Sequence, residues 1–203
     1  TTDAKAREAV QLRINEVSLE AAKYAAPDEF SNLIQGIGGE GLNAFTAYDV
    51  TCYMNSFPSY QMERWLTLYA DRLTNPVFRS FQAELENVFE EYNMYLDDNS
   101  THTRNFIFGK LYEGHAYARD IIGYPEDLKN PKMRQLIDFY NTWYVPNNMA
   151  LILVGDFDTE AAKPLIEKTF GKLQARPLPQ RTQYPTTAFS QDERYSAKLG
   201  YMP

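Results

Sequence analysis

"LNAFTAYDVTCYMNSF", residues 42–57, alternates apolar with polar side chains and is rich in Thr, Tyr, Phe and Val. β-branched and aromatic residues suit a pleated, half-buried surface, so the stretch predicts a strand, with room for a bulge. Helical patterns lie on both sides of it. Upstream, Ala6, Val10, Ile14, Val17 and Ala21 recur at spacings of four and three. They predict a helix from Thr2 or Asp3 to about Ala25, stopped by Pro27. A short helix over 30–35 follows and ends at "GIGGEG". Downstream, "SYQMERWLTLYADRLTNP" places Met62, Trp65, Leu66, Tyr69 and Leu73 on one helical side, with Pro76 beyond its end.

The remaining chain continues the alternation of types. "STHTRNFIFGKLYEGHAYARDIIGYPEDL" predicts a helix and then a Gly- and Pro-punctuated loop. "NPKMRQLIDFYNTWY" predicts a helix and "NNMALILVGDFD" a buried strand ending in a turn. "TEAAKPLIEKTFGKL" predicts a further helix with Pro164 in its first turn. The tail over 174–189 is Pro-rich and polar, as a linker is. Several helices interrupted by isolated strands predict an α+β fold, helices layered on one face of a sheet. The expected division is a helical insertion over 1–29, an α+β domain over 30–175, and a linker with the start of another element over 176–203.

Composition narrows the function. A chain of 203 residues, 44% hydrophobic, can bury a sizeable core. A net charge of −7 argues against nucleic acid as a partner, which wants clustered Lys and Arg. No run of eighteen apolar residues offers a membrane span. The sole cysteine, Cys52, excludes an internal disulfide and a multi-cysteine zinc site, and in a strand it fits a small buried hydrophobe. The chain opens on Thr-Thr-Asp and closes on "SAKLGYMP", a run resembling a strand just beginning, so it is expected to be a piece of a longer protein.

The most distinctive stretch chemically is "ELENVFEEYNMYLDD", residues 84–98, with six acidic residues in fifteen and no Lys or Arg between Arg79 and Arg104. A solvated helix usually interleaves both signs, because Glu–Lys pairs four apart each stabilise by roughly 0.2–0.5 kcal/mol. On a helical projection Phe81, Leu85, Val88, Phe89, Tyr92 and Leu96 share one face, the expected buried one. Glu84 and Glu91, seven apart, stack on a flank of that face, whereas Glu86 and Glu90 point to solvent. Two carboxylates half-buried at a core's edge would need a cation, and zinc accepts carboxylate oxygens. An ordinary acidic surface helix is the alternative.

Five stretches in order resemble the N-terminal domain of the pitrilysin/insulinase-type zinc metallopeptidases, the inverzincins. "IGGEGLNAFTAYDVTCY" (37–53) is similar to the family's Gly-Gly…Asn-Ala-x-Thr strand, and "LYADRLTNPVF" (68–78) to its helix ending in Asn-Pro. "ELENVFEE" (84–91) matches its Glu-x-Glu-x-Val-x-x-Glu signature. "GHAYARDIIGYPEDL" (114–128) resembles its His-Pro-Tyr loop, with Ala116 in place of Pro. "YVPNNMALILVGDFD" (144–158) is similar to its Tyr-x-Pro-x-Asn-Met…Val-Gly-Asp strand. The resemblance implies a mostly antiparallel sheet and a zinc metalloendopeptidase acting on peptides or unfolded protein. It implies Glu91 as a zinc ligand, Glu84 as its supporting carboxylate, and Asn43, Ala44 and Phe45 as an edge that holds substrate as an added strand. It also implies a second homologous domain or partner subunit.

The family's His-x-x-Glu-His motif, two zinc-binding histidines flanking a general base, is not in these 203 residues. His102 and His115 stand thirteen apart, in a helix start and a loop. The motif would fall near residues 14–25, where the sequence is "INEVSLEAAKYA". Either the helix over 3–25 is an insertion that displaces the motif upstream, the reading favoured by the presence of Glu84 and Glu91, or the protein is a degenerate, non-catalytic scaffold or substrate-capturing subunit. Nothing in the sequence fixes the compartment, periplasmic or cytoplasmic.

Overall fold

In the computed structural model, which describes residues 3–26, 28–128, 132–184 and 191–198, the alternating stretch is a hairpin rather than one bulged strand. Strand β1 (Glu40–Thr46) pairs with β2 (Thr51–Ser56) in a two-stranded sheet. The reversal occurs at Tyr48 and Asp49, with the Ala47 N–H donating to the Val50 carbonyl at 2.8 Å. Asp is a turn former, but flanking Tyr and Val sustained the strand-like composition and hid the turn.

The helices follow the sequence closely. They are α1 (Ala4–Ala22), α2 (Glu29–Gly36), α3 (Met62–Thr74), α4 (Phe81–Leu96), α5 (Asn99–Leu111), α6 (Pro125–Leu128), α7 (Met133–Trp143) and α8 (Thr159–Phe170). Asp3 caps α1, its carboxylate accepting from the Lys5 N–H at 2.9 Å. Val10 and Val17 of the α1 stripe are about half exposed. Asp158 caps α8, which begins at Thr159 as expected, so Pro164, its sixth residue, lies in the second turn and not the first. The expected cap Thr2, the stop at Pro27 and the last residues of "SAKLGYMP" lie outside the described residues.

The chain divides into two compact units. The first comprises residues 1–44, 53–83 and 133–178, and the second 45–52, 84–132 and 179–203. In the first, Ile34, Met62, Trp65, Leu66, Tyr69 and Ala162 form the buried core, drawn from α2, α3 and α8. α3 is the centre of this core because its apolar residues recur every three or four positions and all meet the same face. The Lys168 ammonium donates to Glu63 at 2.7 Å across α8 and α3. The Tyr140 hydroxyl donates to the Leu73 carbonyl at 3.0 Å and so ties α7 to the end of α3.

Two features join the hairpin's base to this core. The Asn55 Oδ1 accepts both from Trp65 Nε1 (2.9 Å) and from the Tyr69 hydroxyl (2.7 Å). Gly38 adopts φ +79°, and a Cβ on Gly39 would stand 2.4 Å from Ile34 Cγ2 and 2.8 Å from the Ile34 carbonyl oxygen. "GIGGEG" is therefore a close backbone crossing as well as a turn.

The expected strand in "NNMALILVGDFD" is not a strand. Among the described residues, 150–157 make no backbone–backbone hydrogen bond. Leu153 and Phe157 pack on the core, while Ile152 and Val154 are 78% and 92% exposed. A run apolar on both faces becomes a strand only where neighbours pair with it and cover it.

Gly39→Ala is expected to lose about 1–3 kcal/mol, the range for overpacking a tight site. Asn55→Ala should lose about 1–3 kcal/mol for each of the two donors left unmet. Urea unfolding midpoints of the two variants check both values.

Candidate functional site

The acidic residues sit where a helix was expected, but with a different exposure. No residue of α4 is fully buried. Phe81, Leu85, Val88, Phe89 and Tyr92 are half-buried, and Leu96 is exposed. Glu84 and Glu91 are exposed rather than half-buried. The apolar stripe of α4 is only partly covered, so its flank opens to solvent and the carboxylates are not drawn into a core. The Tyr95 hydroxyl, one turn on, donates to Glu91 Oε1 at 3.3 Å. Among the described residues no ion pair involves Glu84 or Glu91. Nor does any group of three or more His, Cys, Asp or Glu come together in a way that could hold a metal ion.

Asn43, Ala44 and Phe45 lie on β1 and are all exposed. The Ala47–Val50 bond makes that a hydrogen-bonded pair, so Thr46 and Thr51 form the next, non-bonded pair, with their hydroxyls 3.4 Å apart. By the same alternation the main-chain groups of Ala44 and Thr46 point away from β2, toward β1's open edge. Asn43 Oδ1 already accepts the Ala44 N–H at 2.8 Å. Phe45, Glu84 and Glu91 fall in the second unit, while Asn43 and Ala44 belong to the first.

The histidines stand in helix start and loop as expected, and both do local work. His102, in the first turn of α5, places Nε2 2.6 Å from the Leu96 carbonyl oxygen. His115 Nδ1 accepts the Tyr117 N–H at 3.0 Å. Cys52 is a half-buried free thiol.

Sequence reasoning missed the residues that organise the second unit. Asp120 accepts from Asn105 Nδ2 at 2.6 Å and lies 3.5 Å from Arg104, which pins the loop after α5 to that helix. Between α4's end and α5 is a cavity of about 110 Å³, lined in part by Tyr92, Tyr95, His102 and Asp120. At the hairpin turn the Tyr117 hydroxyl donates to Asp49, and Tyr48 stacks on Tyr117 with centroids 4.7 Å apart. This bond to Asp49 pushes the Tyr117 phenol above the ordinary tyrosine range. Partners 68 residues apart leave no spacing signal.

With fold and geometry in place, comparison with known proteins settles the family. Residues 14–124 match the family model described as Insulinase (Peptidase family M16), and residues 132–200 match the Peptidase M16 inactive domain. The chain belongs to the insulinase family. It is 30% identical over 158 residues to the probable zinc protease PqqL of Escherichia coli, covering 74% of this chain and 17% of that protein. To the uncharacterised zinc protease YmfH of Bacillus subtilis it is 34% identical over 137 residues, covering 66% of this chain and 32% of that one. The crystal structure of the first half of the periplasmic protease PqqL from E. coli superposes with a TM-score of 0.67 at 27% identity, over 76% of this chain and 35% of the other. The chain thus spans well under half of the relatives it matches, and an α+β M16 domain is shared with them.

One prediction comes from the corner between α4 and α5. Asp98 caps α5, its carboxylate accepting from the Ser100 and Thr101 N–H groups. The Ser100 hydroxyl, then that of Thr101, then the Ser100 N–H, hold its pKa at about 2, below the usual 3.8. A carboxyl depressed on folding stabilises above its unfolded value, and that contribution disappears as pH falls from 3.8 to about 2. Melting temperatures followed down through this window should fall less steeply for Asp98→Asn, which keeps a capping oxygen but cannot titrate.

Proposed function

We propose that this chain is part of a zinc-dependent metalloendopeptidase, contributing a metal-ligand helix and a substrate-binding edge. One observation carries the reading: in an insulinase-family chain, the acidic helix α4 holds Glu84 and Glu91 on an open flank, in the same unit as the hairpin tip. Glu91 is the proposed zinc ligand. Glu84, one seven-residue repeat earlier, is the proposed supporter.

A catalytic zinc site takes three ligands from protein. The described residues form no such group, and one ligand of the site, the Glu91 carboxylate, is proposed to come from this chain. When bound in the longer protein, the metal supplies activation of water for attack on a peptide carbonyl. The chain's own residues do the rest of what can be assigned here. Tyr95 donates to one oxygen of the exposed Glu91 carboxylate, which orients it. β1 presents outward main-chain groups at Ala44 and Thr46 to an extended peptide, a recognition mode with little demand on sequence.

These 203 residues alone are proposed to be inactive, the remaining ligands coming from polypeptide outside them. A second homologous domain, fused or separate, completes the grip on a peptide or unfolded substrate. A second reading rests on the lack of His-x-x-Glu-His within this sequence: a non-catalytic subunit that captures substrate beside an active partner.

Zinc stoichiometry separates the two. The natural full-length protein should bind one zinc, and these residues alone none. Absence of zinc from both would sink the peptidase and leave the subunit. In the zinc-binding form, Glu91→Gln should abolish tight binding with little loss of stability. Glu84→Gln should weaken it about 10–100-fold, the size expected of an outer partner.

A further inference from the structure

The hairpin tip is held by a set of contacts that the acidic helix and the substrate edge do not account for. Tyr48 stacks on two rings, Tyr117 at 4.7 Å and Phe108 of α5 at 6.0 Å, with interplanar angles of 28° and 12°. Beside it, Asp49 accepts the Tyr117 hydroxyl. Tyr117 is itself fixed, because its N–H donates to His115 Nδ1 at 3.0 Å and its ring meets Tyr112 and His115 edge-on. A phenol donating to a carboxylate is charge-assisted and directional, so the pair sets the position of the turn more sharply than ring stacking alone.

The other end of the same body is equally fixed. α5 follows α4 after two residues, Asp97 and Asp98. Asp98 caps α5, and His102 reaches back to the last carbonyl of α4. Residues 45–52 and 84–132 consequently share one compact unit. The strand end that begins at Phe45 and the helix that carries Glu91 are built into one body through α5 and the loop after it.

We propose that Tyr117, acting through Asp49, is a positioning residue that fixes the Phe45–Thr46 end of β1 on the body that carries α4, so that a peptide added along Thr46 meets a firmly placed strand end when it binds. This rests on the proposed substrate edge and metal ligand. Tyr117 touches neither substrate nor metal. Its effect is on where the edge stands.

The test uses the full-length protein with Tyr117→Phe, which removes one hydroxyl and keeps the rings. Amide exchange over 45–52 should quicken about 10-fold, the equivalent of one charge-assisted bond of roughly 1.4 kcal/mol. KM for an extended peptide should rise by a similar factor, with kcat within about twofold and zinc content unchanged. Asp49→Asn, which keeps an accepting oxygen, should fall between wild type and Tyr117→Phe. Asp49→Ala combined with Tyr117→Phe should be no worse than either alone, because both remove the same bond.

Unchanged exchange over 45–52 would overturn the latch while leaving the substrate edge standing. Faster exchange with unchanged KM would overturn the link between tip and substrate, and would count against the edge as well. A fall in kcat at constant KM would also overturn the proposal. Failure of the peptidase reading itself would show separately, as wild-type protein without zinc or turnover.

Discussion

Asn55 is the junction on which the first unit depends. A single amide oxygen near the end of β2 accepts from Trp65 and Tyr69, both on the buried face of α3. Aromatic rings with polar tips can be buried only if those tips find partners, and Asn55 serves both. Because one acceptor serves two donors a turn apart, the hairpin can dock on α3 in only one position. Gly39 enforces the same docking from the other strand, since any side chain there would strike Ile34. The hairpin's placement beside the core that holds the fully buried Ile34 and Leu66 is thus set by hydrogen bonding and sterics, beyond what apolar burial alone could specify.

How much of this the sequence disclosed depends on the range of the interaction concerned. Helices were legible because their signals are local: the 3.6-residue period of α3, the Asp3 cap of α1, and the Asn75–Pro76 end of α3 all lie within a turn or two of what they control. Strands were less so. The turn at Tyr48 and Asp49 carries no glycine, and its flanks keep the composition of a strand, so one strand was expected where two exist. Leu151 to Val154 have a strand's composition but no pairing, and pairing is a property of the partner, not of the segment.

The residues proposed for the site were legible as positions on a helix, and their environment was not. Periodicity placed Glu84 and Glu91 on one flank of α4, and family resemblance gave them roles. Exposure was misjudged because a helical projection shows which face is apolar and not how completely anything covers it. The aromatic latch at the tip was invisible for a further reason. Tyr117 stood in the stretch resembling the His-Pro-Tyr loop, but its partners Tyr48 and Phe108 are unremarkable in their own segments, and the contact exists only once the fold brings them together.

The open edge of β1 raises a last physical question. An exposed strand edge invites unwanted pairing, and proteins blunt it with local devices. Here Asn43 folds its side-chain oxygen onto the Ala44 N–H, the outward donor that an incoming strand would want. If β1 is the substrate edge, binding must exchange this short-range bond for one to the peptide. An exchange of one hydrogen bond for another yields little net free energy. The affinity would then come from the neighbouring outward groups at Thr46 and from side chains meeting the exposed Phe45 ring, while Asn43 keeps the vacant edge from pairing indiscriminately. An edge so arranged would bind extended chains weakly and with little regard to sequence.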